Sequence, residues 1–227
     1  MCGINGFLDF NKHATREDLS AMNKVLMHRG PDGKGSEIFE KEKFTIGLGH
    51  RRLSVIDLST AGEQPMLFEE FAISYNGELY NYTEIKGELT MLGHSFKGDS
   101  DTEVILHAFK EWGVECLNRF IGMFAFVLFD QKEEVLFCAR DRTGIKPFFY
   151  YFNDGLFLFA SELKAFHQLP QFKKKINHDA LSLFLQFGNI AAPHTIFEDC
   201  YKLLPGNYLL LKCNSIDDFS YPLVSVG

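Results

Sequence analysis

The stretch Gly122-Met123-Phe124-Ala125-Phe126-Val127-Leu128-Phe129 lies in the longest apolar run of the chain, Phe120 to Phe129, and is followed at short intervals by Val135 to Ala139, Phe148 to Phe152 and Leu156 to Ala160. Each run is short and rich in Phe, Leu and β-branched residues, and each is bounded by turn residues, which is the signature of strands. The runs are nearly continuous instead of alternating, so the sheets they form are expected to be covered on both faces. The longest contains Gly122 and falls well below the roughly 20 residues a membrane-spanning helix needs.

Upstream, the pattern mixes helices with shorter strands. Cys2 to Phe10 reads as a strand. Thr15 to Met27 reads as a helix with Thr15 as N-cap, Leu19, Met22 and Leu26 on one face and Gly30 beyond its end. Strands are predicted at Phe44 to Leu48, at Leu53 to Ile56, and at Ala72 to Tyr75, the last stopping at an Asn76-Gly77 turn. Helical spacing follows over Tyr80 to Leu92, and again from Asp101, read as a cap, to Trp112. A helix near Ala180 to Phe187 and a strand over Tyr208 to Lys212 come later, and the glycines of Pro31 to Ser36 read as a turn. No repeat or Pro/Gly/Ser linker divides the 227 residues, so one α+β domain over 1–227 is expected.

Composition removes several function classes. The net charge of −7 offers no basic surface for nucleic acid, and a small zwitterionic substrate fits it better. The first twenty residues carry Asp9, Lys12, Arg16, Glu17 and Asp18 without an apolar leader, so a cytoplasmic protein without membrane attachment is expected. Five cysteines without CxxC spacing argue against a disulfide framework and against a zinc knuckle. There is no GxCxG elbow, HxE or HExxH, and Gly33-Lys34-Gly35 lacks the Ser or Thr of a phosphate loop.

Cys2 stands apart because of its position. A small second residue favours removal of Met1, which leaves a free α-amine on the residue that carries the thiol. Reference pKa values of ~8 for the amine and ~8.5 for the thiol let the pair exchange a proton near neutrality, with no histidine required. Taken alone, a second-position cysteine is equally an ordinary terminal thiol.

Its company is more specific: Met1-Cys2-Gly3-Ile4, His28-Arg29-Gly30-Pro31-Asp32, His50-Arg51-Arg52-Leu53-Ser54, Asn76-Gly77-Glu78-Leu79-Tyr80-Asn81 and Ser100-Asp101-Thr102-Glu103-Val104, in that order. Further motifs run through Arg140 to Pro147, Ser161 to Phe166 and Leu204 to Tyr208. This set resembles the N-terminal-cysteine (class II) glutamine amidotransferases, and most of all the glutaminase domain of glutamine-dependent asparagine synthetases. It covers nearly the whole chain.

The resemblance implies a catalytic set of Cys2, Asn76 and Gly77, and glutamine contacts from Arg52, Leu53, Val55, Ile56, Asn76, Gly77, Glu78 and Asp101. Arg52 is assigned to the α-carboxylate, which a planar guanidinium can grip with two parallel bonds, although an ion pair is its plain alternative. Asp101 is assigned to the α-ammonium, with a helix cap as the alternative. Asn76 and Gly77 are assigned to the oxyanion hole, with a hairpin turn as the alternative reading. The implied reaction hydrolyses L-glutamine through a Cys2 γ-glutamyl thioester, and the implied fold is the four-layer αββα sandwich of N-terminal-nucleophile hydrolases. The Ser-Gly-Gly-x-Asp-Ser pyrophosphate loop of the family's synthetase domain does not occur in this sequence. This domain is therefore expected to need no cofactor or metal, with ATP and magnesium belonging only to a synthetase domain or a separate ammonia-accepting subunit. The competing readings are a non-catalytic glutamine-binding or scaffold module and an ammonia donor to a different acceptor.

Overall fold

The computed structural model describes residues 1–54 and 62–213, together with the backbone of 224–225. One sheet contains β1 (Gly3–Asp9), β2 (Gly33–Glu40), β3 (Thr45–Arg52), β8 (Phe149–Asn153), β9 (Leu156–Ala160) and β10 (Cys200–Lys202), in the order β10-β8-β9-β1-β3-β2. The other contains β4 (Met66–Phe68), β5 (Phe71–Leu79), β6 (Gly122–Asp130), β7 (Val135–Arg140), β11 (Asn207–Lys212) and β12 (Val224–Ser225), in the order β12-β11-β7-β6-β5-β4. All the pairings are antiparallel.

Side-chain parity creates the layers. Along β1, Ile4 and Leu8 point to one face and meet Val127 and Phe129 of β6 in a core between the sheets. Phe7, on the opposite face, packs with Leu19, Met22 and Leu26 of helix α1 (Arg16–Val25) and its end. Along β6, Phe124, Phe126 and Leu128 face away from the other sheet, onto α2 (Tyr82–Met91), α3 (Asp101–Trp112) and the short α4 (Cys116–Arg119). Three cores between four layers give the αββα order, and they explain why the strands read as unbroken apolar runs. A fifth helix, α5 (His178–Phe187), follows the second strand group. Among the described residues no helix is long and apolar enough to cross a membrane.

Several local expectations need correction. Asn76-Gly77 is not a turn: β5 runs through it, with all nine residues of β5 paired to β6 from Phe71↔Asp130 to Leu79↔Gly122. A long apolar partner strand overrides a local turn dipeptide, and the chain turns only at Tyr80–Asn81, where the Asn81 side chain takes the Ile121 N–H (2.9 Å). Gly33 to Ser36 belongs to β2, not to a turn; this edge strand is half-buried and opens with glycine and polar residues, its apolar side chains being confined to Ile38 and Phe39. The cap of α3 is Ser100, whose side chain accepts from Thr102 N, because the Asp101 carboxylate is engaged elsewhere. Of the strand expected at Leu53 to Ile56, Leu53 and Ser54 are irregular, and Val55 and Ile56 lie outside the described residues. Thr15 does cap α1, in a capping box completed by Asp18.

Candidate active site

Cys2 sits just ahead of β1, and its surroundings fix where the thiol points. Two residues on, Ile4 exchanges two bonds with Ser161: Ile4 N donates to Ser161 Oγ (3.0 Å) and Ser161 N donates to Ile4 O (2.9 Å). Arg29 donates from Nε to the Cys2 carbonyl (2.9 Å) and from Nη1 to Glu162 (3.0 Å). Burial pushes the Glu162 carboxyl up, but hydrogen bonds from His28, Arg29 and Lys164 outweigh it and hold the pKa at about 2. The Cys2 Sγ then lies 3.4 Å from the Leu53 N–H, which points to it, and 3.6 Å from the Leu53 carbonyl.

The segment around Leu53 is positioned by the His28–Asp32 motif. Gly30 packs directly against the backbone, since a Cβ there would fall 2.4 Å from the Arg51 carbonyl carbon and 2.6 Å from Arg52 N. Asp32 N donates to Arg52 O (3.0 Å), and the Asp32 carboxylate accepts from Ser54 N (2.9 Å). The motif thus acts as a brace that brings Arg52, Leu53 and Cys2 to one place.

β5 supplies the opposite wall. Phe124 of β6 turns its carbonyl to Asp141 N (2.8 Å) and its N–H to the Asp141 carboxylate (3.2 Å). Gly77 faces Phe124, so this pair exchanges no ladder bonds and the Gly77 N–H points away from β6. The same outward row contains Tyr75 N, which donates to Gln64 Oε1 (2.6 Å), and Leu79 N, which donates to Asp101 Oδ2 (3.0 Å). Between two satisfied neighbours, Gly77 N–H faces the pocket beyond the end of β4, which pairs only with Phe71 to Ile73. A Cβ at Gly77 would meet Met123 O at 2.4 Å, so glycine is required for this close approach. Beside it, the Asn76 side chain is 1% exposed and its Nδ2 has no hydrogen-bond partner among the described residues. Buried donors are seldom left unpaired, and those that are call for an explanation.

Asp101, at the first turn of α3, is 6% exposed and accepts from Tyr75 Oη (2.7 Å) as well as from Leu79 N. Burial raises its pKa against the pull of those bonds, and burial followed by the Asp101 charge raises the Tyr75 phenol. Cys2, Arg52, Leu53, Asn76, Gly77, Glu78 and Asp101 all line one pocket of about 170 Å³. Among the described lining residues the charged side chains are Arg52 and Lys146 against Glu78 and Asp101, cations and carboxylates together, as a zwitterion requires. Lys146, Tyr75, Gln64 and Met123 also line it, and of these only Lys146 falls within a motif visible in the sequence, Arg140 to Pro147.

No imidazole reaches the thiol among the described residues. His50 is buried and donates from Nε2 to Tyr75 O (3.0 Å); burial, then the charges of Arg52 and Arg51, lower its pKa to about 4. His28 is bound to Glu162 (2.9 Å). Among the described residues no group of three or more His, Cys, Asp or Glu is placed to hold a metal ion.

Two stacked antiparallel sheets between helical layers, with a cysteine heading a central strand, define the N-terminal-nucleophile hydrolase fold. The same fold is found in the solved structure of glutamine phosphoribosylpyrophosphate amidotransferase from B. subtilis, which matches 93% of this chain and 47% of its own at a TM-score of 0.66 and 21% identity. Residues 1–222 match the family described as glutamine amidotransferase domain, and the chain belongs to that family. Asparagine synthetase [glutamine-hydrolyzing] 3 of Bacillus subtilis is 38% identical over 228 residues, 97% of this chain and 36% of its own length. Asparagine synthetase [glutamine-hydrolyzing] 1 of the same organism is 38% identical over 220 residues, 93% of this chain and 34% of its own. The chain thus spans about a third of the length of these two relatives.

Proposed function

We propose that this chain hydrolyses L-glutamine to glutamate and ammonia with Cys2 as nucleophile, and that the ammonia serves an amidation of the asparagine-synthetase type on a synthetase domain or subunit. The observation that carries this reading is the convergence of the Cys2 sulfur, the unpartnered Asn76 Nδ2 and the outward Gly77 N–H on one pocket. Arg52 grips the α-carboxylate and Asp101 takes the α-ammonium. Leu53, Glu78 and, on the resemblance, Val55 and Ile56 complete the glutamine contacts.

After Met1 is removed, the α-amine of Cys2 accepts the thiol proton. The sulfur bonds to the carboxamide carbon, and the oxyanion is held by Asn76 Nδ2 and Gly77 N–H. The amine returns its proton to the nitrogen, the C–N bond breaks and ammonia leaves a γ-glutamyl thioester. Water, deprotonated by the same amine, cleaves the thioester to glutamate and regenerates the thiol. No step calls on a metal or cofactor; ATP and magnesium belong to the acceptor side. Asparagine-type acceptance is supported by the names of the relatives.

The test is glutamine turnover by Met1-free protein, with and without chelator and with no ATP. Equal amounts of glutamate and ammonia, unaffected by chelator, are expected. Activity that disappears with chelator, or the absence of both ammonia and an acyl-enzyme mass, contradicts the reading.

A further inference from the structure

The run from Arg140 to Pro147 has no part in the chemistry above, yet it is densely bonded. Asp141, fully buried, accepts at Oδ1 from Thr143 N (3.1 Å), Thr143 Oγ1 (3.0 Å) and Ile145 N (2.9 Å). Its Oδ2 accepts from Phe124 N (3.2 Å) and Lys146 N (3.0 Å). Arg140 donates from Nε to Lys146 O (2.8 Å) and from Nη2 to Gly144 O (2.7 Å). Both backbone polar groups of Lys146 are therefore fixed by side chains, and the loop between β7 and β8 delivers this lysine to the pocket wall in one place.

What it delivers is a cation with little to hold it. Lys146 is 4% exposed and lines the pocket with Cys2, and among the described residues the only hydrogen bond of its Nζ goes to the Met1 thioether (3.3 Å). Thioether sulfur is a weak acceptor. No carboxylate lies within ion-pair distance of Nζ among the described residues, and five donors already occupy Asp141. Burial pulls the Lys146 pKa down, the negative charges of Cys2, Glu78 and Asp141 pull it back up, and Arg29 pushes it down. A buried, unpaired ammonium is costly, and an apolar side chain of the same length would fill the space at less cost. The groups of the same pocket that can carry negative charge are Cys2, Glu78 and Asp101, and among the charges acting on the Lys146 ammonium that of Cys2 is the largest.

We propose that Lys146 is a positioning residue for the nucleophile, its fixed ammonium favouring the thiolate form of Cys2. This rests on the reading of Cys2 as nucleophile. Removal of Met1 takes away the thioether that covers Nζ and leaves the ammonium facing the reacting residue. The thiol proton passes to the α-amine of Cys2, and Lys146 neither gains nor loses one.

The experiment compares wild type, Lys146→Met and Lys146→Arg, each shown by mass to lack Met1, in the rate of iodoacetamide alkylation at Cys2 across pH. The other four cysteines are buried, so the native protein reports Cys2. In Lys146→Met the alkylation midpoint is expected about one pH unit higher, with a roughly tenfold slower reaction at pH 7. Lys146→Arg is expected to stay near wild type, and Lys146→Met to melt no lower than wild type because an unpaired buried charge has been removed. A Lys146→Met profile that superimposes on wild type overturns the inference, as does an Arg variant displaced as far as the Met variant. Should the Met variant not fold, Lys146→Gln takes its place with the same two outcomes. If wild type hydrolyses glutamine while the profiles coincide, this inference alone fails; if wild type neither reacts at Cys2 nor hydrolyses glutamine, the functional reading fails with it.

Discussion

Truncating Asn76 to alanine separates a catalytic donor from a structural one. Among the described residues the buried Nδ2 has no hydrogen-bond partner, so loss of this N–H takes no donor bond from the native state. Removing a donor that was never satisfied also relieves a desolvation penalty, which offsets part of the packing lost, and folding stability is expected to change by no more than about 1 kcal/mol. Turnover is a different matter. The same N–H meets a full negative charge in the tetrahedral intermediate, on a wall where Asn76 is 1% exposed and water cannot substitute. Loss of one such donor costs about 2.7–4 kcal/mol of transition-state stabilisation, a hundred- to thousandfold fall in kcat, with a much smaller change in KM. The assay is steady-state glutaminase kinetics beside urea unfolding of the same preparations. Asn76→Asp, which puts an acceptor where the donor was, is expected to be at least as inactive. Unchanged kcat in Asn76→Ala would remove Asn76 from the oxyanion site, and a loss of several kcal/mol in stability would make it a structural residue.

Arg52→Lys replaces a two-bond clamp with a point charge and is expected to raise KM for glutamine far more than it lowers kcat; an unaltered KM refutes the carboxylate role. His50 is neutral in the fold down to about pH 4 but takes up a proton near its ordinary 6.5 when unfolded. Stability is therefore lost as pH falls from 6.5 toward 4, by roughly 3 kcal/mol from this residue, and His50→Gln is expected to flatten that slope in urea titrations. Equal slopes in the two proteins would show that His50 is not the group responsible.

How much was legible in the sequence depends on which force decided each element. Thr15 and Asp18 cap α1 through contacts three residues apart, and the runs at Met123, Val135 and Leu156 owe their state to burial on both faces; both kinds of signal are written locally. Asn76-Gly77 misled because a dipeptide preference worth little was opposed by nine residues of pairing with β6. β2 is hard to read because this edge strand opens with glycine and polar residues from Gly33 to Glu37 and keeps its apolar side chains, Ile38 and Phe39, for its far end. Asp101 has the position and chemistry of a cap, but Tyr75 and Leu79, more than twenty residues away, claim its carboxylate and leave the cap to Ser100. At the site, motif order named Cys2, Arg52, Asn76, Gly77 and Asp101, and the fold brings them to one pocket. Lys146 carried no signal of its own, since only the Asp141 and Arg140 brackets, visible in three dimensions, show that its position is enforced. Val55 and Ile56 lie outside the described residues.

The central claim is that one residue supplies both nucleophile and base. Retaining Met1 converts the α-amine of Cys2 into an amide nitrogen, which is no base at neutral pH, and leaves a side chain lining the pocket. The direct measurement is ammonia release from glutamine by two preparations of the same chain, one with Met1 and one without, each defined by intact mass. The processed protein is expected to turn over glutamine and to accumulate a γ-glutamyl adduct at Cys2, and the Met1-bearing protein to do neither. Equal turnover by both would contradict the account.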